Sequence, residues 1–480
     1  MMIGRMQEKE LLQSLLDEEE PQFVAVFGRR RIGKTFLVRE SFSHSFTFEH
    51  TGVSALDIRT DSLKQTQLDK FAESLKRAGY NCPHRLTSWD EAFSALKELI
   101  SKSVEKKKVI FIDELSWMDT KESGLISALE SFWNGWATAR KEKDVILIVC
   151  ASATYWMVNN IVNARGGLHN RLTGQIHLKP FTLGECEAYL QSKKISFTRH
   201  QILQCYMILG GVPYYWSLLK KGLSLPQNID ALFFKENALL MHEYENLYRA
   251  LFKSPEQYIK IIEALSSVQR GISRDEVIRR SGVAGSGDLT KKLTELENCG
   301  FIRKYIPFGY KQRNCIYQLI DNYTLFYHRF LKQRTYDENF WQNKNDTPAL
   351  NAWSGVAFER VCLEHIPQIK SALGISGVST QVNAWHCKKD EAAGIHGSQI
   401  DLLIIRKDQI INLCEMKYAV DHFTADASFD RSVRRKISDL ITVTGTRYAI
   451  HTTLITTHGV TKNAYADELQ ATITADELFR

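Results

Sequence analysis

An apolar run that leads straight into a glycine-rich loop is the feature that most constrains the fold of this chain. Residues 22–27 (QFVAVF) have the composition of a buried β-strand, and GRRRIGKT follows directly. The frame of that loop is G-x-x-x-x-G-K-T, formed by Gly28, Gly33, Lys34 and Thr35. Residues 35–43 then have a helical pattern. Strand, loop and helix in this order predict a phosphate-binding loop, because glycines let backbone N–H groups surround a phosphate at a helix N-terminus.

The loop predicts a site for ATP and Mg²⁺. We expect Lys34 to reach the β- and γ-phosphates and the hydroxyl of Thr35 to bind the metal ion. The residues expected to contact the nucleotide are Gly28, Arg29, Arg30, Arg31, Ile32, Gly33, Lys34 and Thr35. Three consecutive arginines leave three options for the loop: a nucleotide site, a nucleic-acid patch, or a docking point for a partner.

Two later apolar runs end in polar residues that complete such a site. Residues 109–112 (VIFI) lead into Asp113 and Glu114, and residues 145–149 (VILIV) are followed by ASAT. We expect Asp113 in the Mg²⁺ shell and Glu114 as the base that polarises the attacking water. Ser152 is preferred to Thr154 as the sensor of the γ-phosphate. The alternative role for Ser152 is a capping hydroxyl where a strand meets a helix.

Size and composition describe an ordinary globular protein of two to four domains. The chain has 480 residues, 44% hydrophobic and 24% charged, with a net charge of +7, which suits a nucleic-acid partner without requiring one. Nine cysteines without a C-x-x-C pair favour a reducing compartment. The charged N-terminus and the lack of a run of ~20 apolar residues predict a cytoplasmic protein that does not enter a membrane.

The middle of the chain predicts helices and then a winged helix. Residues 178–250 have a mostly helical pattern. The apolar spacing of residues 258–265 predicts another helix, and Ser273 with Glu276 has the pattern of a capping box. A glycine-serine turn, a third helix stopped by Gly300 and a hairpin over 303–319 complete the winged-helix order.

Basic residues on the third helix and the hairpin predict contacts with DNA phosphates. The expected DNA-binding residues are Lys291, Lys292, Arg303 and Lys304. Such residues position a module on DNA without specifying its sequence. The alternatives are a winged helix that docks another protein and lysines that are merely solvated.

The C-terminal pattern predicts a second metal site. A helix over 352–366 carries Glu359, a strand over 400–405 begins near Asp401, and a strand over 410–414 runs into Glu415-Met416-Lys417. Asp401 and Glu415 are expected to share Mg²⁺, with Glu359 completing its shell. Lys417 is expected to orient or deprotonate the attacking water. The alternative is that the carboxylates serve only the structure.

The first part of the chain resembles AAA+-like ATPases of the STAND group, in particular an ATPase family first recognised as common in archaea. The resemblance depends on IGRMQEKELL, GRRRIGKT, VIFIDE and GGVPYY. It implies that Gly4, Arg5 and Pro213 lie near the base and sugar of the nucleotide. It also implies that Arg171 contacts the γ-phosphate in cis or across a homo-oligomer, the alternative being a surface salt bridge. A basic loop is the usual form in this family, so Arg29–Arg31 are interpreted as part of the switch, paired with acidic groups of a neighbouring domain or subunit.

Residues 350–450 resemble the PD-(D/E)XK nuclease superfamily, with Ile400 in place of the proline that gives the superfamily its name. The expected fold class is therefore α/β. Its predicted parts are a P-loop, AAA+-like ATPase domain with a parallel sheet (1–180), a helical lid (181–250), a winged helix (251–335) and a restriction-endonuclease-like α/β domain (345–480). Three functions fit: an ATP-regulated enzyme acting on DNA, an ATP-dependent signalling scaffold with a non-catalytic C-terminal domain, and a chaperone-like remodeller.

Overall fold

A computed structural model describes residues 2–54, 63–164, 166–252, 254–332, 337–343 and 347–480. The chain divides into two compact units, Met1–Pro180 with Arg249–Lys253, and Phe181–Tyr248 with Ser254–Arg480. Residues 335 and 345, where two of the predicted domain boundaries fall, lie outside the described residues. No helix within the described ranges is long and apolar enough to cross a membrane.

The first unit is built on a five-stranded sheet in which every neighbouring pair is parallel. Its strands are β1 (Gln22–Phe27), β2 (Phe48–Thr51), β3 (Lys108–Asp113), β4 (Val145–Ala151) and β5 (Gly174–His177). The three strands predicted at 22–27, 109–112 and 145–149 are confirmed. The order is β2-β3-β4-β1-β5, so β4 separates the strand before the glycine loop from the strand that ends in Asp113.

Helices cover both faces of this sheet. They are α1 (Met6–Ser14), α2 (Lys34–Ser41), α3 (Leu63–Arg77), α4 (Trp89–Lys102), α5 (Leu115–Met118), α6 (Leu125–Phe132) and α7 (Thr154–Met157), with π-helical turns at Trp133–Ala137 and Val158–Val162. Side chains of β1 alternate between two hydrophobic clusters, with Phe23 in one and Val24 in the other. Strands that are buried on both faces are typical of parallel sheets, and they fix the position of the loops at the carboxyl edge.

The second unit begins with helices and continues into a small antiparallel sheet. The helices are α8 (Leu183–Ser192), α9 (Arg199–Leu209), α10 (Pro213–Ser217), α11 (Leu225–Phe233), α12 (Glu243–Leu251, of which residues 249–251 belong to the first unit), α13 (Pro255–Ser266), α14 (Arg274–Ser281) and α15 (Gly287–Asn298). The strands are β6 (Ile272–Ser273), β7 (Ile302–Tyr305) and β8 (Ile316–Leu319), in the order β6-β8-β7, with a 3-10 turn at Gln312–Asn314. The hairpin predicted over 303–319 is the β7–β8 pair. Ser273 caps α14 by accepting from the N–H of Glu276, whose carboxylate bonds Arg279 and Arg280.

A mixed five-stranded sheet dominates the rest of the unit. Its strands are β9 (Thr380–His386), β10 (Gln399–Arg406), β11 (Ile410–Lys417), β12 (Ala449–Thr456) and β13 (Ala471–Thr474), in the order β13-β12-β11-β10-β9. The helices are α16 (Asn322–Phe326), α17 (Phe340–Asn343), α18 (Pro348–Glu364), α19 (Ile366–Ala372) and α20 (Ala427–Thr444), with a π-helical turn at Tyr327–Leu331 and a 3-10 turn at Ala475–Phe479. The β9-β10-β11 pairs are antiparallel and the β11-β12-β13 pairs parallel. α20 connects the parallel strands β11 and β12, and its Leu440 packs on Leu403 and Leu413.

Candidate nucleotide site and carboxylate cluster

The glycine loop has a backbone that only glycine tolerates at its first position. Gly28 has φ +142°, and a Cβ added there would lie 2.3 Å from the carbonyl oxygen of Leu178. Gly33 has φ +90°, in the left-handed region, and a Cβ added there would meet open space. Between them, the Ile32 side chain is buried in the hydrophobic cluster of β1 and α2. The conformation of the loop is thus fixed by the steric contact at Gly28, the left-handed backbone of Gly33 and the buried side chain of Ile32.

Lys34 spans the loop with three hydrogen bonds. Its buried Nζ donates to the carbonyl oxygens of Gly28 and Arg29, both at 3.0 Å, and to Oγ of Ser152 at 2.9 Å. All three acceptors are uncharged. A phosphate oxygen is a stronger acceptor for an ammonium group than any of them.

Hard oxygen groups from α2 and β3 meet beside this lysine. Oγ1 of Thr35 donates to Oδ2 of Asp113 at 2.6 Å, and the N–H of Glu114 donates to Oδ1 of Asp113 at 2.9 Å. Hydroxyl and carboxylate oxygens are the ligands that Mg²⁺ prefers, together with water and substrate phosphates. The donor set therefore fits the metal predicted at Thr35 and Asp113.

Ser152 holds the carboxylate of Glu114 through both of its oxygens. The Ser152 N–H donates to Oε2 at 3.1 Å and its Oγ donates to Oε1 at 2.5 Å. Glu114 itself has a left-handed backbone, with φ +48°. Burial raises the pKa of Glu114, while the Lys34 ammonium and the Ser152 hydrogen bonds act in the opposite direction. Thr154 is also buried, but among the described residues its Oγ1 has no hydrogen-bond partner.

The three arginines of the loop are not equivalent. Arg29 is only 5% exposed. Arg30 and Arg31 are partly exposed, and Arg31 adopts φ +69°. Arg29 is therefore part of the packed loop, whereas Arg30 and Arg31 reach its surface.

The residues carried over by family resemblance have separate surroundings. Gly4 and Arg5 both have left-handed backbones, and the buried Arg5 guanidinium donates to the carbonyl oxygen of Lys179. Arg171 is exposed in the segment before β5. In the second unit, Pro213 is the first residue of α10. The roles of these residues toward the nucleotide stay predictions.

The second unit brings the predicted nuclease-type residues into one neighbourhood. Glu359 lies on α18, Asp401 on β10, and Glu415 and Lys417 on β11. Burial and repulsion from Asp401 together raise the pKa of Glu359 to about 7, although the charges of Arg360 and Lys417 oppose the rise. Nζ of Lys417 lies 3.8 Å from Oε2 of Glu415. The four predicted residues therefore act on one another electrostatically.

Each of these carboxylates already has a neighbouring donor, which is basic for Glu415 and Glu359 and neutral for Asp401. Lys436 of α20 donates to Oε1 of Glu415. Nη1 of Arg360 lies 3.8 Å from Oε2 of Glu359, and Gln399 Nε2 donates to Asp401 at 2.7 Å. Within the described part of the chain, no three His, Cys, Asp or Glu side chains are grouped so that they could hold a metal ion. The Mg²⁺ site at Glu359, Asp401 and Glu415 stays a prediction, and it requires rearrangement at Glu415.

Of the four predicted DNA-binding residues, Lys292 and Arg303 have surroundings that differ from those expected. Lys291 and Lys304 are exposed. Lys292 is only 6% exposed, pairs with Asp288 and lies over the ring of Tyr258, so its predicted exposure is wrong.

Arg303 is likewise not on a free hairpin surface. It is partly buried, Nε donates to Oε1 of Gln318 at 2.6 Å, and Nη2 donates to the carbonyl oxygen of Asp401 at 3.3 Å. The structure thus places Arg303 beside Asp401 rather than on an exposed wing. No sequence signal indicated this contact, because Arg303 and Asp401 lie 98 positions apart in the chain.

Known proteins resemble both the first part and most of the length of this chain. Residues 3–219 match the family described as an ATPase domain predominantly from Archaea. Over 409 residues the chain is 23% identical to an uncharacterized protein of Methanocaldococcus jannaschii, with 84% of each chain covered.

Two solved structures are also similar at 15% identity. The Walker-type ATPase of Pyrococcus abyssi has a TM-score of 0.47, with 68% of this chain and 96% of that chain covered. The ORC2 protein of Aeropyrum pernix, in ADPNP-ADP complexes, has a TM-score of 0.42, with 72% and 96% covered. TM-scores this low do not establish a shared fold. The family match and the loop geometry agree that the chain contains an ATPase domain of the archaeal type.

Proposed function

We propose that this chain is an ATP-driven switch whose nucleotide site comprises the glycine loop, Asp113, Glu114 and Ser152, and whose second unit acts on DNA. The observation that carries the proposal is the hydrogen-bonded chain from Lys34 through Ser152 to Glu114. It joins the group that binds phosphate to the group that activates water. A change at the phosphates is thereby transmitted to the base.

Binding of ATP exchanges the partners of Lys34. Backbone N–H groups of the loop and the N-terminus of α2 hold the phosphates, and the ammonium leaves the neutral acceptors for phosphate oxygens. Ser152 then loses the Lys34 ammonium as a donor and, still bonded to Glu114, is proposed to sense the γ-phosphate. Arg171 is proposed to add positive charge there, in cis or from another subunit of a homo-oligomer.

Thr35 and Asp113 would hold Mg²⁺, which neutralises charge on the β- and γ-phosphates when bound. Glu114 accepts a proton from water as the water oxygen bonds to the γ-phosphorus. The bond from that phosphorus to the β,γ-bridging oxygen breaks, and ADP and phosphate leave. A base with a raised pKa is better matched to proton transfer near neutral pH than an ordinary glutamate.

The ATPase proposal is tested with two single variants. Lys34→Ala is expected to lose both nucleotide affinity and turnover, whereas Glu114→Gln is expected to bind ATP and lose turnover by about 10²–10⁴-fold. Binding of a fluorescent ATP analogue and release of phosphate separate these effects. ATP turnover at the wild-type rate in both variants would contradict the assigned site.

The second candidate function is Mg²⁺-dependent cleavage of DNA by the C-terminal sheet. It is favoured by the mutual influence of Glu359, Asp401, Glu415 and Lys417. Asp401 and Glu415 would hold the metal ion, with Glu359 in its shell and Lys417 beside the attacking water. Carboxylate oxygens suit Mg²⁺, but Lys436 has to leave Glu415 first.

The alternative is a scaffold in which the same cluster is purely structural, which the Lys436–Glu415 bond favours. Plasmid incubated with Mg²⁺ or Mn²⁺, with and without ATP, distinguishes the two. Cleavage by the wild type that is absent from Glu415→Ala supports a nuclease. Equal digestion by both proteins indicates contamination, and lack of digestion under all conditions favours the scaffold.

A further inference from the structure

Two arginines from different elements converge on the carboxylate cluster. Arg303 comes from β7 of the small sheet, and Nη2 donates to the carbonyl oxygen of Asp401 at 3.3 Å. Arg360 comes from α18, and Nη1 lies 3.8 Å from Oε2 of Glu359. The charges of Glu359 and Asp401 act on both guanidinium groups. The cluster is therefore completed by a residue from the small antiparallel sheet.

Arg360 has donors that the described residues leave unsatisfied. The residue is 1% exposed, and its Nη2 donates to the carbonyl oxygen of Gln269 at 2.6 Å. Among the described residues, Nε and Nη1 have no hydrogen-bond partner. Leaving donors of a buried charged group unpaired is costly, and such groups in native proteins call for a specific explanation. An anionic acceptor seated beside Glu359 would supply the missing bonds.

A hydrogen-bond network holds the two arginines in place. Gln318 accepts from Nε of Arg303 at 2.6 Å and donates through Nε2 to the Gln269 carbonyl at 2.6 Å, the same carbonyl that Arg360 binds. The Arg303 guanidinium also stacks over the Tyr305 ring, 4.9 Å from its centroid. Both guanidinium groups are thus positioned before any ligand binds, which lowers the entropic cost of binding.

The local charge favours an anion. The basic side chains around the cluster are Arg303, Arg360, Lys417 and Lys436, and the acidic ones are Glu359, Asp401 and Glu415. Four cations against three carboxylates leave an excess of one positive charge. Glu359 is 26% exposed, so the cluster is open to solvent on that side.

We propose that Arg303 and Arg360 form a seat for a phosphodiester group of DNA, next to Asp401 and Glu359. The seat rests on the DNA-directed part of the proposed function. Planar guanidinium groups bind phosphate through paired N–H donors. Because the cations are supplied by the protein, the seat holds its phosphate without a metal ion.

The test is binding of a fluorescent DNA duplex to the full chain in EDTA, followed by anisotropy. Arg303→Ala is expected to weaken binding about tenfold and to reduce the slope of log affinity against log salt by about one. Arg360→Met, which keeps most of the buried volume, is expected to weaken it similarly. The matched control is Lys407→Ala, which removes one exposed positive charge beyond the other end of β10. Thermal unfolding verifies that each variant is folded.

The outcomes separate the seat from its alternatives. Weaker binding by folded Arg303→Ala, with Lys407→Ala unchanged, supports the proposal. Equal affinity of the wild type and Arg303→Ala, or an equal loss in Lys407→Ala, overturns it. Competition by inorganic phosphate at concentrations near those of DNA phosphate would assign the site to free phosphate and overturn the phosphodiester assignment. If Mg²⁺-dependent cleavage persists at the wild-type rate in Arg303→Ala, the seat fails while the nuclease proposal survives.

Discussion

Oγ of Ser152 lies 2.5 Å from Oε1 of Glu114, while the Ser152 N–H donates to the other oxygen of the same carboxylate at 3.1 Å. The serine therefore fixes the orientation of Glu114 through two bonds. Because its Oγ also accepts from Lys34 at 2.9 Å, a single hydroxyl connects the phosphate-binding lysine with the predicted base. A simple helix-capping role for Ser152 would not require either contact.

Replacing Ser152 with alanine is expected to lower kcat by about 10–100-fold with a smaller change in KM, since the base loses its alignment but the glycine loop remains. Steady-state phosphate release measures both constants. Thr154→Ala is the matched control, because it removes another buried hydroxyl two residues away. Equal losses in the two variants would mean that the strand end matters and the hydroxyl of Ser152 does not.

The same substitution is expected to change the pH profile. Burial raises the pKa of Glu114, and the Ser152 hydrogen bonds partly oppose that rise. Only the ionised carboxylate accepts a proton, so turnover falls as pH drops through this pKa. Without the serine hydroxyl the pKa rises further, and the acid limb of kcat moves to higher pH in Ser152→Ala. An unchanged limb would show that another group controls it.

Alanine at Gly28 is expected to be far more damaging than alanine at Gly33. Both positions have positive φ, for which a side chain costs of order 1–3 kcal/mol. At Gly28 the added Cβ also meets the Leu178 carbonyl oxygen at 2.3 Å, whereas at Gly33 it meets open space. We expect Gly28→Ala to lose ATP affinity and thermal stability together. Similar behaviour of the two variants would show that the loop relaxes around the added methyl group.

Lys292 offers a test that separates structural from DNA-binding lysines. Its ammonium pairs with Asp288 and lies over Tyr258, so Lys292→Ala is expected to lower the Tm by roughly 2–4 °C, the effect of about 1 kcal/mol. Lys291→Ala, at the exposed neighbouring position, is expected to lower the Tm less than Lys292→Ala does and to weaken DNA binding modestly. A stability loss only in Lys291→Ala would reverse these assignments.

Much of the first unit could be predicted from the sequence because its signals are local. A buried strand, a loop of special backbone and a helix follow one another without a gap, and each of the two later strands brings its polar residues with it. The position of β4 between β1 and β3 could not be predicted, because strand order depends on contacts between distant segments.

Predictions of exposure failed for different physical reasons. Lys292 lies one helical turn from both Leu289 and Leu296, which are buried, so its burial was available from the helical period. The contact between Arg303 and Asp401 joins separate sheets across 98 positions of sequence. Nothing in either segment specifies it. Similarly, the bond from Lys436 to Glu415 joins α20 to β11 across 21 positions of sequence, and neither segment specifies it.

Glu359 gives the stability of the second unit a predictable pH dependence. Burial raises its pKa from 4.5 to about 7, and repulsion from Asp401 contributes, while Arg360 opposes the rise. Between these values the folded protein keeps a proton that the unfolded chain releases, so the stability that this proton provides is lost as pH rises toward 7 and beyond. The Glu359→Gln variant has no ionisable group at this position, so its free energy of unfolding does not show this loss.

The Tm of Glu359→Gln relative to the wild type is thus expected to be several degrees higher at pH 8 than at pH 4.5, since about 1 kcal/mol corresponds to roughly 2–4 °C. The contributions of groups that titrate identically in both proteins cancel in this difference in Tm. Glu391→Gln, at a position whose side chain is 81% exposed, is the matched control. A difference in Tm that stays constant from pH 4.5 to 8 would mean that Glu359 ionises in the folded protein as it does in the unfolded chain, and that Arg360 compensates its charge completely.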